Sequence, residues 1–317
     1  MHRLPLLRRR RSTLIAALAL AVLSVPLALP GTAGAEEHGV PGVVGVDAAG
    51  NALAAPAAGS TEWSASAGSG DLADAGAGIS HAPAPTTAKE AGEAGDGVSP
   101  MVIIGTDDRS RVTNTTAQPN RAIVYLTSSV LRCTGFLVSP DTVVTAGHCV
   151  HTGSTGEPPA FYEDFRAYPG KNGETNPYGG CGYSEVWTSD AWADNGDRRE
   201  DWGVVKLDCS IGDTTGWFGY RWQDATHVGN SVNLRGYPGD KPRGTMWSDS
   251  GRVQSETATN LRYEIDTYDG QSGSPVFSRY GDDWMAIGIH TYGPYQTCCN
   301  GGTRITESMA QFISAVR

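Results

Sequence analysis

The sequence predicts an all-β domain built from short strands, and two observations lead to this prediction. From residue 102 onward, β-branched and apolar runs recur, with Gly, Pro, Asn and Asp clustered between them. No apolar pattern of helical period separates these runs, and such spacing is typical of a β-sandwich or β-barrel. The runs are Ala122–Leu126, Gly135–Val138, Thr142–Thr145, Gly203–Leu207, Ser231–Leu234 and Trp284–Ile289.

One helix is predicted, over residues 306–317 at the C-terminal end. Thr306 is a favourable N-cap residue, and Met309, Phe312, Ile313 and Val316 follow it at helical spacing. This single apolar stripe indicates a helix that packs against the core of the domain.

The first 35 residues have the pattern of a signal peptide. Arginines cluster between Arg3 and Arg11, an apolar stretch runs from Leu14 to Leu29, and Ala33-Gly34-Ala35 offers small residues for cleavage. The apolar stretch is short and interrupted for a membrane span. We therefore expect a secreted, extracellular protein that does not bind a membrane.

Residues 36–101 differ in composition from the rest of the chain. They are rich in Ala and Gly, with Trp63 as the one aromatic residue and with no cysteine. Such a segment buries little apolar area, so we expect it to have little stable structure. Its position between a signal peptide and a domain favours a propeptide, removed within several residues of Met101. A tail that stays attached is the alternative.

The remaining residues, 102–317, suit one domain of two packed barrels. The chain has a formal net charge of −10, and this domain has no basic run, which argues against a nucleic-acid partner.

No cofactor is implied and no metal ligands are predicted, although the acidic pairs Asp107-Asp108 and Asp282-Asp283 leave a structural calcium ion open. A monomer is the default expectation.

Three local sequences together indicate nucleophilic catalysis. His148 follows an apolar strand, Asp201 opens another, and Ser272 lies in Gly270-Gln271-Ser272-Gly273. A serine hydroxyl needs a base to take its proton, an imidazole can do so near neutral pH, and a carboxylate orients the imidazole. Gly270 lets the backbone turn so that its N–H and that of Ser272 can face a developing oxyanion.

Other residues of the same types compete for these roles, namely Asp194, Asp197, Asp208, Ser274 and His151. The Asp before the strand and the Ser between glycines have the stronger local context. The second histidine lacks the strand and the adjacent cysteine, so we expect it at the surface.

In the order His, Asp, Ser, these motifs resemble the chymotrypsin-like serine proteases. A closer resemblance, to the bacterial glutamyl endopeptidases, covers nearly all of residues 102–317. It is carried by Val102-Ile103-Ile104-Gly105-Thr106-Asp107-Asp108-Arg109, Gly236-Tyr237-Pro238-Gly239-Asp240-Lys241, Asp266-Thr267-Tyr268 and Gly302-Thr303-Arg304-Ile305-Thr306.

This resemblance implies two packed antiparallel six-stranded β-barrels, at about 102–215 and about 216–305, followed by the C-terminal helix. It also implies a serine endopeptidase that forms an acyl-enzyme on polypeptide substrates, cutting after Glu and less well after Asp. His290, the hydroxyl of Thr267 and the freed amino group of Val102 would then bind the substrate carboxylate. A hydrogen-bonded core histidine is the alternative for His290.

The six cysteines, in an exported chain, suggest disulfides. The resemblance implies a bridge between Cys133 and Cys149 that holds the His148 loop. The pairing of Cys181, Cys209, Cys298 and Cys299 stays open, because a direct bridge between the adjacent pair would be strained.

Two departures from the resemblance keep other functions in view. Asp266 lies six residues before Ser272, where trypsin-like enzymes place the Asp that selects Arg and Lys. Gln271 replaces the Asp that captures the new N-terminus in those enzymes, so activation must differ. A non-catalytic protease homologue that only binds is a third possibility, although the triad and Gly270 are all present.

Overall fold

The computed structural model describes residues 42–56, 65–66, 68–69, 89–90, 102–155, 158–294 and 299–317. The predicted signal peptide, most of the predicted propeptide and Cys298 lie outside these residues. Within the described part, two β-sheets with short connecting helices make up the fold.

The first sheet has eight strands among the described residues, numbered here in chain order. Its main path runs β1-β9-β10-β7-β6-β5-β8, and β3 pairs with β6. Two hydrogen bonds of 3.0 Å between the backbones of Ala167, in β8, and Cys181, just before β9, close six of these strands into a barrel and leave β1 outside the ring. The strands are β1 (Val43–Asp47), β3 (Lys89–Glu90), β5 (Ile123–Thr127), β6 (Leu131–Leu137), β7 (Thr142–Thr145), β8 (Arg166–Pro169), β9 (Tyr183–Ser189) and β10 (Gly203–Leu207).

The second sheet closes on itself. Its ring runs β15-β12-β13-β14-β17-β16, and pairing between β15 and β16 completes a six-stranded barrel. A separate apolar core fills it, including Leu234, Tyr263 and Ile287. The strands of this sheet are β2 (Ala65–Ser66), β4 (Ser110–Arg111), β11 (Gly219–Arg221), β12 (Ser231–Gly236), β13 (Trp247–Glu256), β14 (Asn260–Tyr263), β15 (Pro275–Tyr280), β16 (Asp283–Tyr292) and β17 (Asn300–Arg304).

The C-terminal helix packs on the first barrel. The Thr306 hydroxyl accepts a hydrogen bond from the Met309 N–H, which satisfies one of the free amides at the helix start. Phe312 lies against Trp187 and Trp202, at centroid distances of 5.7 and 5.4 Å. The helices are α1 (Asp190–Asn195), α2 (Gly212–Thr215) and α3 (Glu307–Val316), with short 3-10 turns at Asn120–Ala122, Gly147–Cys149, Gly153–Thr155 and Arg198–Glu200.

The predicted fold class is confirmed, since the strands form two antiparallel barrels and a helix ends the chain. Two predicted runs, Thr142–Thr145 and Gly203–Leu207, coincide with strands, because their β-branched side chains fit both faces of a buried sheet. No helix among the described residues is long and apolar enough to cross a membrane.

One part of the amino-terminal segment differs from the expectation of little stable structure. Residues 43–47 form β1 and pair with β9 over five residues, from Val43 opposite Ser189 to Asp47 opposite Glu185. The segment gains its order from the edge of the domain, which a composition argument on the segment alone does not contain.

Disulfides join Cys133 to Cys149 and Cys181 to Cys209, with Cα–Cα distances of 6.2 and 6.0 Å. Cys299 is also in a disulfide. The first bridge ties β6 to the turn that carries His148, and the second ties the start of β9 to the end of β10.

Candidate active site

His148 and Asp201 form a buried pair between β7 and β10. The carboxylate accepts two hydrogen bonds from His148, at 2.8 Å from Nδ1 and 2.9 Å from the backbone N–H. An ionised carboxylate only accepts, so Nδ1 carries the hydrogen and Nε2 keeps its lone pair. Asp201 is fully buried and His148 is 6% exposed. The pair therefore has the orientation that a general base requires.

Close packing fixes the His148 turn. A Cβ at Gly147 would lie 2.9 Å from Trp192 Cδ1 and 3.0 Å from Asp201 Oδ1, so only glycine fits there without displacing the pair. The Trp192 ring meets the His148 ring edge-on, with centroids 6.1 Å apart. Its indole N–H donates to the His151 carbonyl, which anchors α1 beside the imidazole.

Ser272 lies at the top of a tight turn between barrel strands. Gly270 and Gly273 have φ values of 92° and 85°, which side-chain-bearing residues rarely adopt. The Ser272 carbonyl accepts from the Thr134 N–H, and the Gly273 N–H donates to the His290 carbonyl. These bonds hold the turn between the two barrels.

The Ser272 hydroxyl is buried and makes no hydrogen bond within the described part of the chain. Such contacts are often long in unliganded enzymes and shorten when substrate binds. Among the same residues, the N–H groups of Gly270 and Ser272 also donate to no protein acceptor. Two free donors beside a free hydroxyl are the arrangement that an oxyanion site needs.

A buried arginine holds the residue before Ser272. Arg109 has a fully buried side chain and pairs with Asp107 at 2.9 Å and Asp240 at 2.5 Å. It also reaches Gln271 Oε1 at 3.5 Å, and that oxygen accepts from the Tyr268 N–H at 3.0 Å. Hydrogen bonds from Arg109 and Lys241 lower the pKa of Asp107 well below its usual range. Gln271 therefore faces an arginine here.

His290 is completely buried on β16, and Tyr263 holds it. The Tyr263 hydroxyl lies 2.7 Å from His290 Nδ1. Burial lowers the pKa of His290 to about 3, against a hydrogen bond to the Gly301 backbone that raises the pKa. The imidazole is therefore neutral in the folded protein at neutral pH.

Thr267 and Val102 lie next to each other. The Thr267 N–H donates to the Val102 carbonyl at 3.4 Å. Asn300 binds the same residue through both amide atoms, donating to its carbonyl at 2.8 Å and accepting from its N–H at 3.3 Å. Among the described residues, the Thr267 hydroxyl is buried with no partner, which marks it for a ligand or water.

Asp266 is engaged by the backbone of the segment after Val102. Its carboxylate accepts from the Ile104 N–H at 2.7 Å and from the Asp108 N–H at 2.8 Å. The same six-residue offset from Ser272 that marks a trypsin-like pocket therefore places this side chain against residues 104–108.

Two of the competing residues, His151 and Asp197, have structural roles. His151 was expected at the surface and is instead 5% exposed, because its Nδ1 accepts from the Gly153 N–H at 2.9 Å and its ring packs on Phe161. Asp197 caps a 3-10 turn and pairs with Arg199.

Four residues that support the site were not predicted from the sequence: Tyr263, Asn300, Arg109 and Trp192. Each acts by touching a predicted residue from a distant part of the chain. Arg109 lay inside a motif quoted for the family resemblance, which was the one available signal.

Comparison with known proteins places this chain in a family. Residues 133–289 match the trypsin-like peptidase domain. The chain is 42% identical over 213 residues to "Glutamyl endopeptidase" of Bacillus licheniformis, covering 65% of this chain and 66% of the relative. It is 43% identical over 220 residues to "Extracellular metalloprotease" of Bacillus subtilis, covering 67% and 68%. The chain thus spans about two thirds of the length of these curated relatives.

The name of the B. subtilis relative raises the question of a metal. Among the described residues, one group of three potential ligand atoms lies within 4.8 Å of one another, from Cys181, Asp208 and Cys209. Both sulfurs are in the disulfide, so neither offers a thiolate, and one carboxylate remains. These residues do not fit a catalytic metal ion.

One solved structure is described as the same kind of enzyme as the B. licheniformis relative. A structure described as "Glu endopeptidase in complex with MPD" matches with a TM-score of 0.63 and 31% identity, covering 68% of this chain and 99% of that one. The chain belongs to the glutamyl endopeptidase family of trypsin-like serine endopeptidases.

Proposed function

We propose that this protein is a secreted endopeptidase that cuts polypeptides after Glu, and less well after Asp, through the triad His148, Asp201 and Ser272. Its preference for Glu is supported above all by one observation. The Asp266 carboxylate is already engaged by two backbone N–H groups, while the Thr267 hydroxyl is buried without a partner among the described residues.

The reaction begins with proton transfer from Ser272 to His148. As Oγ attacks the peptide carbonyl carbon, Nε2 takes its proton, and Asp201 stabilises the imidazolium through Nδ1–H. The N–H groups of Gly270 and Ser272 donate to the oxyanion; loss of one such donor typically costs about 3–4 kcal/mol.

The tetrahedral intermediate collapses when the C–N bond breaks. The imidazolium gives its proton to the leaving amine, which departs and leaves an acyl ester on Ser272. Water, activated by His148, then attacks the ester carbonyl, and the same steps release the acid and restore the hydroxyl.

The substrate carboxylate would bind between Thr267, His290 and the amino group of Val102. A buried carboxylate needs hydrogen-bond donors or positive charge. The Thr267 hydroxyl, which has no partner among the described residues, is one donor. Cleavage before Val102 would turn its amide N–H, now bound to Asn300, into an ammonium group in the same neighbourhood.

This activation model includes the amino-terminal region. Residues 1–35 act as the signal peptide, residues 36–101 as a propeptide, and residues 102–317 as the protease domain. The extracellular enzyme named among the relatives and the arginine-rich start of the chain support export.

Digestion of a denatured protein by the purified, processed chain tests this proposal. Cut sites are identified by mass spectrometry, with Ser272→Ala as the matched inactive control. Cuts after Glu, absent in the control, are expected. Cuts after Arg and Lys would refute the Glu preference and return Asp266 to the pocket. No cuts by a processed, folded chain would favour a binding function.

A further inference from the structure

The amino-terminal hairpin, residues 42–56, is a folded unit on the protease domain. Its turn is closed by hydrogen bonds from Gly50 N–H to the Asp47 carbonyl and from Leu53 N–H to the Gly45 carbonyl, both 2.9 Å. The Asp47 carboxylate also accepts from the Ala49 N–H, and from the backbone N–H and side-chain amide of Asn51. All of these turn bonds are made within the hairpin.

The hairpin continues the first sheet past β9. Beyond the five-residue register, the Ala48 N–H donates to the Ser184 carbonyl at 2.9 Å, and the Asp190 N–H donates to the Gly42 carbonyl at 3.0 Å. The second bond satisfies the first residue of α1. Within the described part of the chain, every backbone bond of the hairpin goes to itself or to residues 184–190.

Side-chain packing is specific as well. Val43, Val46 and Leu53 pack against the core of the first barrel. Gly45 is buried on the face of Trp187, where an added Cβ would lie 2.2 Å from Cε3. Trp187 cannot readily move away, because it is itself packed against Phe312 of the C-terminal helix.

The hairpin contacts α1, the helix that packs beside the His148 turn. It forms one wall of a groove of about 710 Å³ whose other wall includes His151 and residues 159–164. The α1 helix, which it contacts, carries Trp192 against the His148 ring. A bound hairpin therefore supports the wall next to the base.

We propose that the amino-terminal hairpin stays bound after the chain is cut before Val102, so that the active enzyme carries it as a separate, non-covalent strand of the first barrel. The inference rests on the proposed propeptide cleavage. A cut at residue 102 lies beyond residue 56 and breaks none of the hairpin's hydrogen bonds. Main-chain pairing to an exposed strand edge is a common mode of peptide binding, and loss of the hairpin would expose the β9 edge.

A cleavable full-length chain tests this directly. The chain carries Ser272→Ala to prevent self-digestion, and a recognition site for a sequence-specific protease placed just before Val102. After cutting, size-exclusion chromatography at neutral pH is followed by mass spectrometry of the domain peak. We expect one hairpin fragment per domain, released by denaturant. A folded domain that elutes without the fragment would overturn the proposal.

Two variants distinguish specific pairing of β1 with β9 from nonspecific binding of the fragment to the domain. Gly45→Val should weaken retention about ten- to a hundredfold, because the added side chain collides with Trp187. Ala54→Val adds bulk at an exposed hairpin residue and should be retained like the parent. Equal retention of both variants would refute the pairing of β1 with β9 as the cause of binding.

Amide hydrogen exchange on the cut parent protein gives a second readout that needs no variant. Residues 43–47 and 185–189 should be protected together. Rapid exchange in both strands would overturn the proposal. Retention is read by mass in an inactive chain, so a wrong cleavage specificity would leave these results unaffected.

Discussion

Burial of His290 should make the protein lose stability in acid, and replacing this residue should remove a defined part of that loss. Burial lowers the pKa of His290 to about 3, from 6.5 for an ordinary histidine. Above pH 6.5 the His290 side chain is neutral in both the folded and the unfolded state. As the pH falls from 6.5 towards 3, the unfolded state binds a proton that the folded state does not, so stability falls.

The size of this effect follows from the difference in pKa. Each pH unit in this window costs about 1.4 kcal/mol, so acidification to about pH 4 costs about 3 kcal/mol through His290 alone. The Tyr263 hydroxyl bond at 2.7 Å keeps the imidazole in place and does not replace the lost solvation of its charged form.

Chemical denaturation at a series of pH values between 4 and 8 measures this difference. The free energy of unfolding of a Ser272→Ala chain is compared with that of Ser272→Ala/His290→Gln, which cannot take up the proton. Other histidines with a pKa lowered by burial, such as His151 and His227, contribute equally to both proteins. Between pH 8 and pH 4, the free energy of unfolding of the Ser272→Ala chain should fall by about 3 kcal/mol more than that of the double variant. If the free energies of unfolding of the two proteins change with pH in parallel, a buried neutral His290 is refuted.

Three further predictions concern the catalytic turn and the segment after Val102. Ser272→Ala should lower kcat by up to about a millionfold, and leave the thermal unfolding midpoint unchanged because Oγ has no hydrogen bond to lose among the described residues; a shifted midpoint would contradict this. Arg109→Met should cost about 3 kcal/mol in chemical denaturation, because the Asp107 and Asp240 charges lose their partner; a change under about 0.5 kcal/mol would refute a structural ion pair. Asp266→Asn should weaken two charged hydrogen bonds and destabilise the fold by about 1–3 kcal/mol, while the cut sites after Glu persist. A change in which residues are cut after would instead assign Asp266 to the pocket.

The strands were predictable because their signal is local, whereas the two six-stranded barrels followed from the family resemblance. β-branched runs between turn residues predict a strand whatever lies beside it, as at Thr142–Thr145 and Gly203–Leu207. The motifs around His148, Asp201 and Ser272 are local as well, and their order in the chain separated the chymotrypsin-like proteases from subtilisin-like and α/β-hydrolase chains.

Asp266 and His151 show where local reasoning fails. The offset between Asp266 and Ser272 is the same in trypsin-like enzymes, so spacing alone could not tell a pocket residue from one that binds backbone N–H groups. His151 lacked a functional motif, yet it is buried because the chain at Gly153 and Phe161 folds over it.

By itself, the sequence determined the fold class, the C-terminal helix and the family, because these depend on periodicity and on motifs a few residues long. Only the tertiary structure decided which groups meet across the chain: Arg109 with Gln271, Tyr263 with His290, and the amino-terminal hairpin with β9. The hairpin is the clearest case. Its Ala- and Gly-rich composition argues against independent folding, and its order comes from the strand edge and the Trp187 face that the domain supplies.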